Sequence, residues 1–344
     1  MSRLRRALAG VGISGAVFVV AFLLVDTFVV PRLVAPRRPA AYAKSDYWGP
    51  DFLRESAEVA DLRSIRQTPM GPVNLSGDYR GRWINVDQGF RRTVPRPASP
   101  SRRIVVLGGS TTFCVEVPDE LTWPSQLAAR LESTSTEVIN AGLSGATLED
   151  RLDVAERLDL LRPGDLAVFF VGVNDAVVGS QRNQPIGALA RWPRLRTAIQ
   201  RLFGWSNSGR LALARGQELR FEIELEPREA AERFLPLTAR ALQVASRRGA
   251  DALVVLQPAA IFGDRRGWSR TIAALNPDYQ AAFVEFYEIV LRAPVAGGAV
   301  TDGTEIFDEL DESPYLDFAH VQEDGNRAIA DFVYEELAAR GWLD

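Results

Sequence analysis

The sequence predicts an α/β fold in which helices cover both faces of a central parallel sheet of about five strands. From residue 103 onward, short apolar runs alternate with longer stretches of helical periodicity. Several apolar runs end in glycine-rich or polar turns, which is how strands of a parallel sheet end before a helix. The chain has 344 residues, of which 47% are hydrophobic, and this is enough for one sizeable domain with appendages.

The same pattern sets the order of the elements. Strands are expected at 104–107, 137–140, 166–171 and 252–256, with a weaker fifth strand at 304–307. Helices are expected at 122–133, 147–161, 228–248, 277–292 and 324–340. The last helix follows the only histidine of the chain, so its packing is expected to fix the loop that carries this residue.

The first predicted strand runs directly into Gly108-Gly109-Ser110-Thr111-Thr112. Glycines permit a sharp turn and the close approach of a substrate, and the following helix N-terminus presents unpaired N–H groups to developing negative charge. A hydroxyl on such a turn can face solvent above the sheet, so Ser110 is the candidate nucleophile. A phosphate-binding turn is the alternative. It predicts a lysine in the loop or an acidic residue ending the next strand, and the sequence has neither.

A serine nucleophile needs a base, usually a histidine that a carboxylate orients. The single histidine, His320, lies in the segment Tyr-Leu-Asp-Phe-Ala-His, three residues after Asp317. That spacing places the two side chains on the same side of a helical or turn-like step. The group can assemble only if the C-terminal segment returns to the end of the first strand, which parallel sheets allow because strand ends collect at one edge.

Two further segments place hydrogen-bond donors at strand ends. Residues 138–147 read VINAGLSGAT, and residues 169–175 read FFVGVND. An oxyanion formed during acyl transfer needs such preorganised donors, and the loss of one costs about 3 kcal/mol of transition-state stabilisation. Asp175 is interpreted as a turn or cap residue. Cys114 is interpreted as a buried packing residue and not as the nucleophile.

Four blocks in this order, GGS at 108–110, NAGLSG at 140–145, GVND at 172–175 and DFAH at 317–320, resemble the SGNH hydrolases, also called the GDSL esterase/lipase superfamily. The resemblance implies a three-layer flavodoxin-like fold, with Ser110 as nucleophile, His320 as base and Asp317 orienting it. It also implies an oxyanion hole formed by the Ser110 N–H, the Gly145 N–H and the Asn174 side chain. The aspartate usual before the nucleophile is Gly109 here.

Local roles compete with some of these assignments. Asn174 could cap a turn and Gly145 could permit a positive φ, and both roles are compatible with oxyanion binding. A lone histidine is more often structural than catalytic, but the three accompanying blocks favour catalysis for His320.

The first 30 residues are expected to form a transmembrane anchor. Residues 7–25 carry no charge, and at about 1.5 Å per residue they match the hydrocarbon thickness of a bilayer. A cleaved signal peptide is the alternative, but its apolar core would span only about 7 to 15 residues. Arginines before the run favour a cytoplasmic N-terminus, although those at 32–38 reduce the asymmetry. The catalytic domain is therefore expected outside the cytoplasm, in the periplasm or at the cell surface.

Residues 31–100 are predicted to form a linker and an extended segment, and residues 101–344 the hydrolase domain. Asp51 to Arg66 has a helix-compatible composition. Asn85 to Thr93 resembles a segment that precedes the catalytic domain in some membrane-anchored bacterial SGNH proteins of exopolysaccharide gene neighbourhoods. We interpret it as a strap packed on the domain surface rather than as a substrate-binding segment. Residues 177–227 interrupt the strand–helix alternation and are predicted to be a variable insertion, either a lid or helical packing near the membrane.

Composition excludes several function classes. A net charge of −4 and a pI near 5.4 disfavour nucleic acid as a partner, because phosphate binding requires a basic surface. One cysteine excludes an intramolecular disulfide, and one histidine with one cysteine leaves almost no ligands for zinc. We expect neither a cofactor nor a metal, although an all-carboxylate ion site stays open.

The sequence thus predicts a membrane-anchored serine esterase that works through an acyl-enzyme. The favoured substrate is an O-acetylated surface or secreted polysaccharide. A lipid esterase or thioesterase is the first alternative, because the anchor and the apolar insertion could present an acyl groove beside a bilayer. An acyltransferase and a non-catalytic polysaccharide-assembly protein are the others.

Overall fold

The computed structural model describes residues 45–61, 63–68, 71–179, 181–182, 224–262, 277–293 and 300–343. In chain order the elements are α1 Pro50–Asp61, β1 Arg63–Thr68, β2 Gly71–Ser76, β3 Tyr79–Arg80, β4 Asn85–Asp87, β5 Phe90–Arg91, β6 Arg102–Gly108, α2 Ser110–Phe113, α3 Trp123–Arg130, β7 Thr136–Asn140, α4 Leu148–Arg157, β8 Leu166–Val171, α5 Val173–Gly179, β9 Gln181–Arg182, β10 Glu224–Leu225, α6 Pro227–Arg247, β11 Asp251–Leu256, α7 Pro277–Arg292, β12 Thr301–Asp302 and α8 Glu323–Ala339. Short 3₁₀ helices lie at Asp119–Leu121 and Glu132–Thr134.

The central sheet has eight strands in the order β12-β11-β8-β6-β7-β5-β4-β3. Its first five strands are parallel, and their order is that of flavodoxin-like folds. The predicted parallel core is therefore confirmed. The sheet as a whole is mixed, because β5, β4 and β3 extend it in antiparallel fashion beyond β7. The sequence did not predict this extension.

Side chains of the central strands alternate between two apolar layers, as the pleat of a sheet requires. Val105 and Leu107 of β6 face a layer formed with α4, α6 and α7. Ile104 and Val106 face the opposite layer, formed with α3 and α8. Every residue of β8 is buried, which explains its continuous apolar sequence. The parallel strands are thus covered by apolar layers on both faces. A functional site is therefore expected at the edge of the sheet where the strands have their carboxyl ends.

Two sequence predictions are wrong. The fifth strand lies at 301–302, not at 304–307, because the chain turns at Gly303. The Asp302 carboxylate accepts hydrogen bonds from the backbone N–H and the hydroxyl of Thr304, at 2.9 and 2.7 Å, and so closes the turn. Residues 51–66 do not form one helix. The helix ends at Asp61, and β1 pairs in antiparallel fashion with β2, a partner that local composition cannot reveal.

Residues 79–93 form a strap that joins the sheet edge to the loop after α2. Arg91 is 1% exposed, and its guanidinium donates to the Asp119 carboxylate at 2.7 Å and to the carbonyls of Phe113, Cys114 and Val117. Helix α1 holds the strap from outside, because the Glu55 carboxylate accepts hydrogen bonds from the backbone N–H groups of residues 82–84. The strap is therefore a structural part of the domain.

Some predictions fall outside the described residues. These are the N-terminal anchor at 1–30 and most of the insertion at 177–227. Within the part of the chain that the structure describes, no helix combines the length and apolarity needed to cross a membrane.

Candidate active site

Ser110 is the first residue of α2, directly after the strand β6 that ends at Gly108. The short helix is held from two sides. The Asn140 side chain, at the end of β7, donates to the Thr112 carbonyl at 2.8 Å, and the Trp123 indole donates to the Thr111 carbonyl at 3.1 Å. Both donors are fully buried, so the turn that carries Ser110 has a fixed position at the carboxyl edge of the sheet.

His320 and Asp317 meet Ser110 at this edge. His320 Nε2 lies 2.7 Å from Ser110 Oγ, and His320 Nδ1 lies 2.6 Å from Asp317 Oδ2. Asp317 Oδ1 accepts hydrogen bonds from the backbone N–H groups of Ala319 and His320, at 2.8 and 2.7 Å. The carboxylate is thus fixed within its own turn and holds the imidazole by one nitrogen, while the other nitrogen faces the serine. This arrangement can remove the serine proton.

The loop that carries His320 is held by several contacts. The Leu316 N–H donates to the His320 carbonyl at 2.7 Å, and the Ala260 N–H donates to the Phe318 carbonyl at 2.8 Å. Asn326, in the first turn of α8, is 1% exposed, and its Oδ1 accepts from the Trp123 N–H at 3.0 Å. Its amide group donates to the carbonyls of residues 321 and 322. Asn326 therefore ties the histidine loop to the start of α3, a role that its sequence position did not reveal.

The predicted oxyanion donors lie around the turn that carries Ser110. Asn174 Nδ2 donates to the Ala146 carbonyl at 2.9 Å, and a Cβ atom built at Gly109 would overlap this nitrogen. The Asn174 amide is therefore packed against the residue before Ser110. Gly145 is exposed with a φ of 78°, a conformation that favours glycine, and no described residue accepts a hydrogen bond from its N–H.

Asp175 has a structural position, as the sequence predicts. Its carboxylate accepts from the Leu148 N–H at 2.9 Å and the Gly172 N–H at 3.1 Å, and so joins the end of β8 to the N-terminus of α4. Burial raises the pKa of Asp175 to about 6, although these two hydrogen bonds oppose the shift. Cys114 is also buried, and burial raises the pKa of its thiol well above its ordinary value, as expected for a packing residue.

One residue beside the histidine has no signature in the sequence. Glu116 lies in the loop after α2, and its Oε1 is 3.7 Å from His320 Nε2. Burial lowers the pKa of His320, but the charge of Glu116 and the hydrogen bond that His320 Nδ1 donates to Asp317 more than offset this and raise it to about 9. Burial raises the pKa of Asp317, but its hydrogen bonds and the charge of His320 hold it below its ordinary value. Glu116 occupies no recognised motif, so only the folded structure brings it to the site.

Among the described residues, no three histidine, cysteine, aspartate or glutamate side chains are placed to hold a metal ion together.

The sequence model of the GDSL-like lipase/acylhydrolase family matches residues 106–328, well over half of the chain. The chain belongs to this family. It is therefore a serine hydrolase of the GDSL type, acting on esters, and the resemblance drawn from the four blocks is confirmed. A search of curated proteins gave no match.

Solved structures with similar folds include a lipolytic G-D-S-L protein from Veillonella parvula, with 16% identity and a TM-score of 0.43 over 69% of this chain and 99% of that one. Another is the acetyl xylan esterase AlAXEase, with 17% identity and a TM-score of 0.41 over 68% and 99% of the two chains. A third is Est24, a carbohydrate acetylesterase from Sinorhizobium meliloti, with 17% identity and a TM-score of 0.39 over 70% and 99%.

Proposed function

We propose that this GDSL hydrolase cleaves its ester through an acyl-enzyme on Ser110, with His320 as general base and Asp317 as the residue that orients it. One observation carries the proposal. Ser110 Oγ, both nitrogens of His320 and the Asp317 carboxylate form one continuous hydrogen-bonded chain, with separations of 2.7 and 2.6 Å. Residues 210 positions apart in sequence meet in the order that nucleophilic catalysis needs.

In the proposed mechanism, Ser110 Oγ attacks the ester carbonyl as its proton passes to His320 Nε2. The oxyanion that forms accepts hydrogen bonds from the Ser110 N–H, the Gly145 N–H and the Asn174 amide. His320 then returns the proton to the leaving alcohol, and the C–O bond breaks to give the acyl-enzyme. A water molecule gives its proton to His320 Nε2 and attacks the acyl carbonyl. His320 then returns this proton to Ser110 Oγ as the bond between Oγ and the acyl carbon breaks, which regenerates Ser110 and releases the acid.

The proposed substrate is an O-acetyl ester on a surface or secreted polysaccharide. Its support is the sequence of residues 85–93, which resembles a segment of anchored SGNH proteins from exopolysaccharide gene neighbourhoods. The proposed location of the catalytic domain outside the cytoplasm agrees with such a substrate. We propose that residues 1–30 anchor the chain with its catalytic domain outside the cytoplasm, because residues 7–25 are uncharged and long enough to span a bilayer. Fractionation of cells, followed by alkaline extraction of the membranes, checks the anchor.

The test of the function is hydrolysis of p-nitrophenyl esters, from acetate to palmitate, by a soluble protein comprising residues 45–344. We expect fast acetate cleavage that falls at least about 10³-fold in Ser110→Ala and His320→Ala. Ser133→Ala, at an exposed serine, is the matched control and should retain full activity.

Other results would contradict the proposal. Full activity in Ser110→Ala would overturn the assigned roles. Strong selection for palmitate would favour a lipid esterase, and an absence of cleavage by folded protein at every chain length would favour an acyltransferase or a non-catalytic protein. Release of acetate from acetylated polysaccharides is the next measurement after a positive result.

A further inference from the structure

Glu116 places a second carboxylate at the histidine, on the side opposite Asp317. Its Oε1 lies 3.7 Å from His320 Nε2, the nitrogen that also faces Ser110 Oγ. The Glu116 side chain is only 19% exposed, so water screens this interaction incompletely. The two ring nitrogens of His320 therefore each face a carboxylate.

The backbone on both sides of Glu116 is held in place. The Arg91 guanidinium donates to the carbonyls of Cys114 and Val117, at 3.0 and 2.9 Å. The Ser56 hydroxyl donates to the Val115 carbonyl at 2.9 Å. Because the strap and α1 both fix this loop, the position of Glu116 beside the imidazole is built into the fold.

We propose that Glu116 is a positioning residue of the active site, which stabilises the imidazolium form of His320 from the Nε2 side and thereby sets the lowest pH at which His320 acts as a base. The inference rests on the proposed roles of Ser110 and His320. The imidazolium that forms when Ser110 is deprotonated then lies between two carboxylates, one at each nitrogen.

The charged groups around the imidazole determine whether the pKa of His320 rises or falls. Burial lowers the pKa of His320, but Glu116 and Asp317 together raise it to about 9. Burial raises the pKa of Glu116 above its ordinary value, and the charge of His320 is the largest effect that opposes this shift. Asp317 raises the pKa of Glu116 further and Arg91 lowers it. With a pKa near 9, only about one His320 in a hundred is in the neutral, base form at pH 7. The enzyme is thus expected to be most active in alkaline solution.

Replacing Glu116 by glutamine removes the negative charge and keeps the shape. A charge at this distance typically shifts a pKa by about 1 to 3 units, so the acidic limb of kcat/KM should move to lower pH by that amount. For a shift of about two units, the rate at pH 7 rises about fivefold, because more His320 is neutral, and the rate at pH 10 falls about tenfold, because the base is weaker. The two pH profiles should cross, whereas a purely structural loss would lower the rate at every pH.

The decisive experiment follows from the presence of a single histidine in the chain. In full-length protein kept in detergent, labelled at histidine Cε1 with ¹³C and purified without a polyhistidine tag, one NMR signal reports the titration of His320. We expect a pKa near 9 in the unmodified protein and a value lower by about 1 to 3 units in Glu116→Gln. Glu120→Gln, at an exposed carboxylate of the next turn, is the matched control and should titrate like the unmodified protein.

An unchanged titration in folded Glu116→Gln overturns the proposal, as does an equal shift in the Glu120→Gln control. If Glu116→Gln does not fold, Glu116→Asp provides the same test with the charge one methylene farther from Nε2. A lowered pKa then supports the proposal, and an unchanged one overturns it. The NMR titration needs no substrate, so it reads the Glu116–His320 interaction even if Ser110→Ala shows that the proposed catalytic roles are wrong.

Discussion

Replacement of Arg91 by methionine is expected to lower the free energy of unfolding by about 3 to 5 kcal/mol, because it removes one partner of a buried ion pair. The Arg91–Asp119 pair is nearly inaccessible to water, with side-chain exposures of 0% and 6%. The substitution leaves the Asp119 carboxylate without its cation, and the carbonyls of Phe113, Cys114 and Val117 lose their side-chain donor. Methionine preserves most of the buried volume, so the loss reflects charge and hydrogen bonding rather than a cavity.

Urea denaturation of residues 45–344 measures this loss, with Arg92→Met as the matched control because Arg92 is exposed. Arg91→Lys keeps the positive charge but loses the planar guanidinium group, which donates several hydrogen bonds at once. We therefore expect its free energy of unfolding to lie between those of Arg91→Met and Arg92→Met. Removing the carboxylate as well, in Arg91→Met/Asp119→Leu, should recover only part of the stability. The reason is that Asp119 also accepts hydrogen bonds from the Asn85 N–H and side-chain amide. If Arg91→Met unfolds at the same urea concentration as Arg92→Met, the strap does not stabilise the domain through the Arg91–Asp119 ion pair.

Two further substitutions test the site. Asp317→Asn should lower kcat by about 10³- to 10⁴-fold, because the side-chain amide favours the wrong tautomer of His320. The fold should change little, because the amide oxygen still accepts hydrogen bonds from the backbone N–H groups of Ala319 and His320. Turnover of p-nitrophenyl acetate measures the first effect and circular dichroism the second, and retained turnover contradicts the assigned role. Gly109→Ala should lower kcat about 100-fold, because its methyl group displaces the Asn174 amide by about 1 Å. Gly49→Ala, where a Cβ meets no atom within 4 Å, is its control, and equal rates in the two variants would refute this prediction.

The sequence predicted those parts of the site that depend on local pattern. Ser110 follows a strand and a glycine pair, and Asp317 precedes His320 by three residues, so each turn has a recognisable signature. The parallel core was predictable for the same reason, because continuous apolar runs such as that of β8 are typical of strands buried on both faces.

The remaining features depend on contacts between distant residues. Glu116 and Asn326 belong to no motif, and they reach the site only because α2, α3 and α8 pack together. The antiparallel strands β3 to β5 contain two or three residues each, too few for a periodic signal. The fifth parallel strand contains only two residues and ends at the turn closed by Asp302, whereas the apolar pattern that suggested it lies in the turn that follows.

The hydrogen bonds within the turn from Asp317 to His320 make this pair of side chains a local unit. The Asp317 carboxylate contacts the imidazole across three residues, whereas Ser110 lies 210 positions from His320. Ordering a short turn costs far less chain entropy than closing a long loop. Assembly of the three groups therefore requires one long-range docking event instead of two. Conditions that loosen the C-terminal loop should then separate Ser110 from an intact pair, and activity should be lost in one step, without a stage in which His320 faces Ser110 but has lost Asp317.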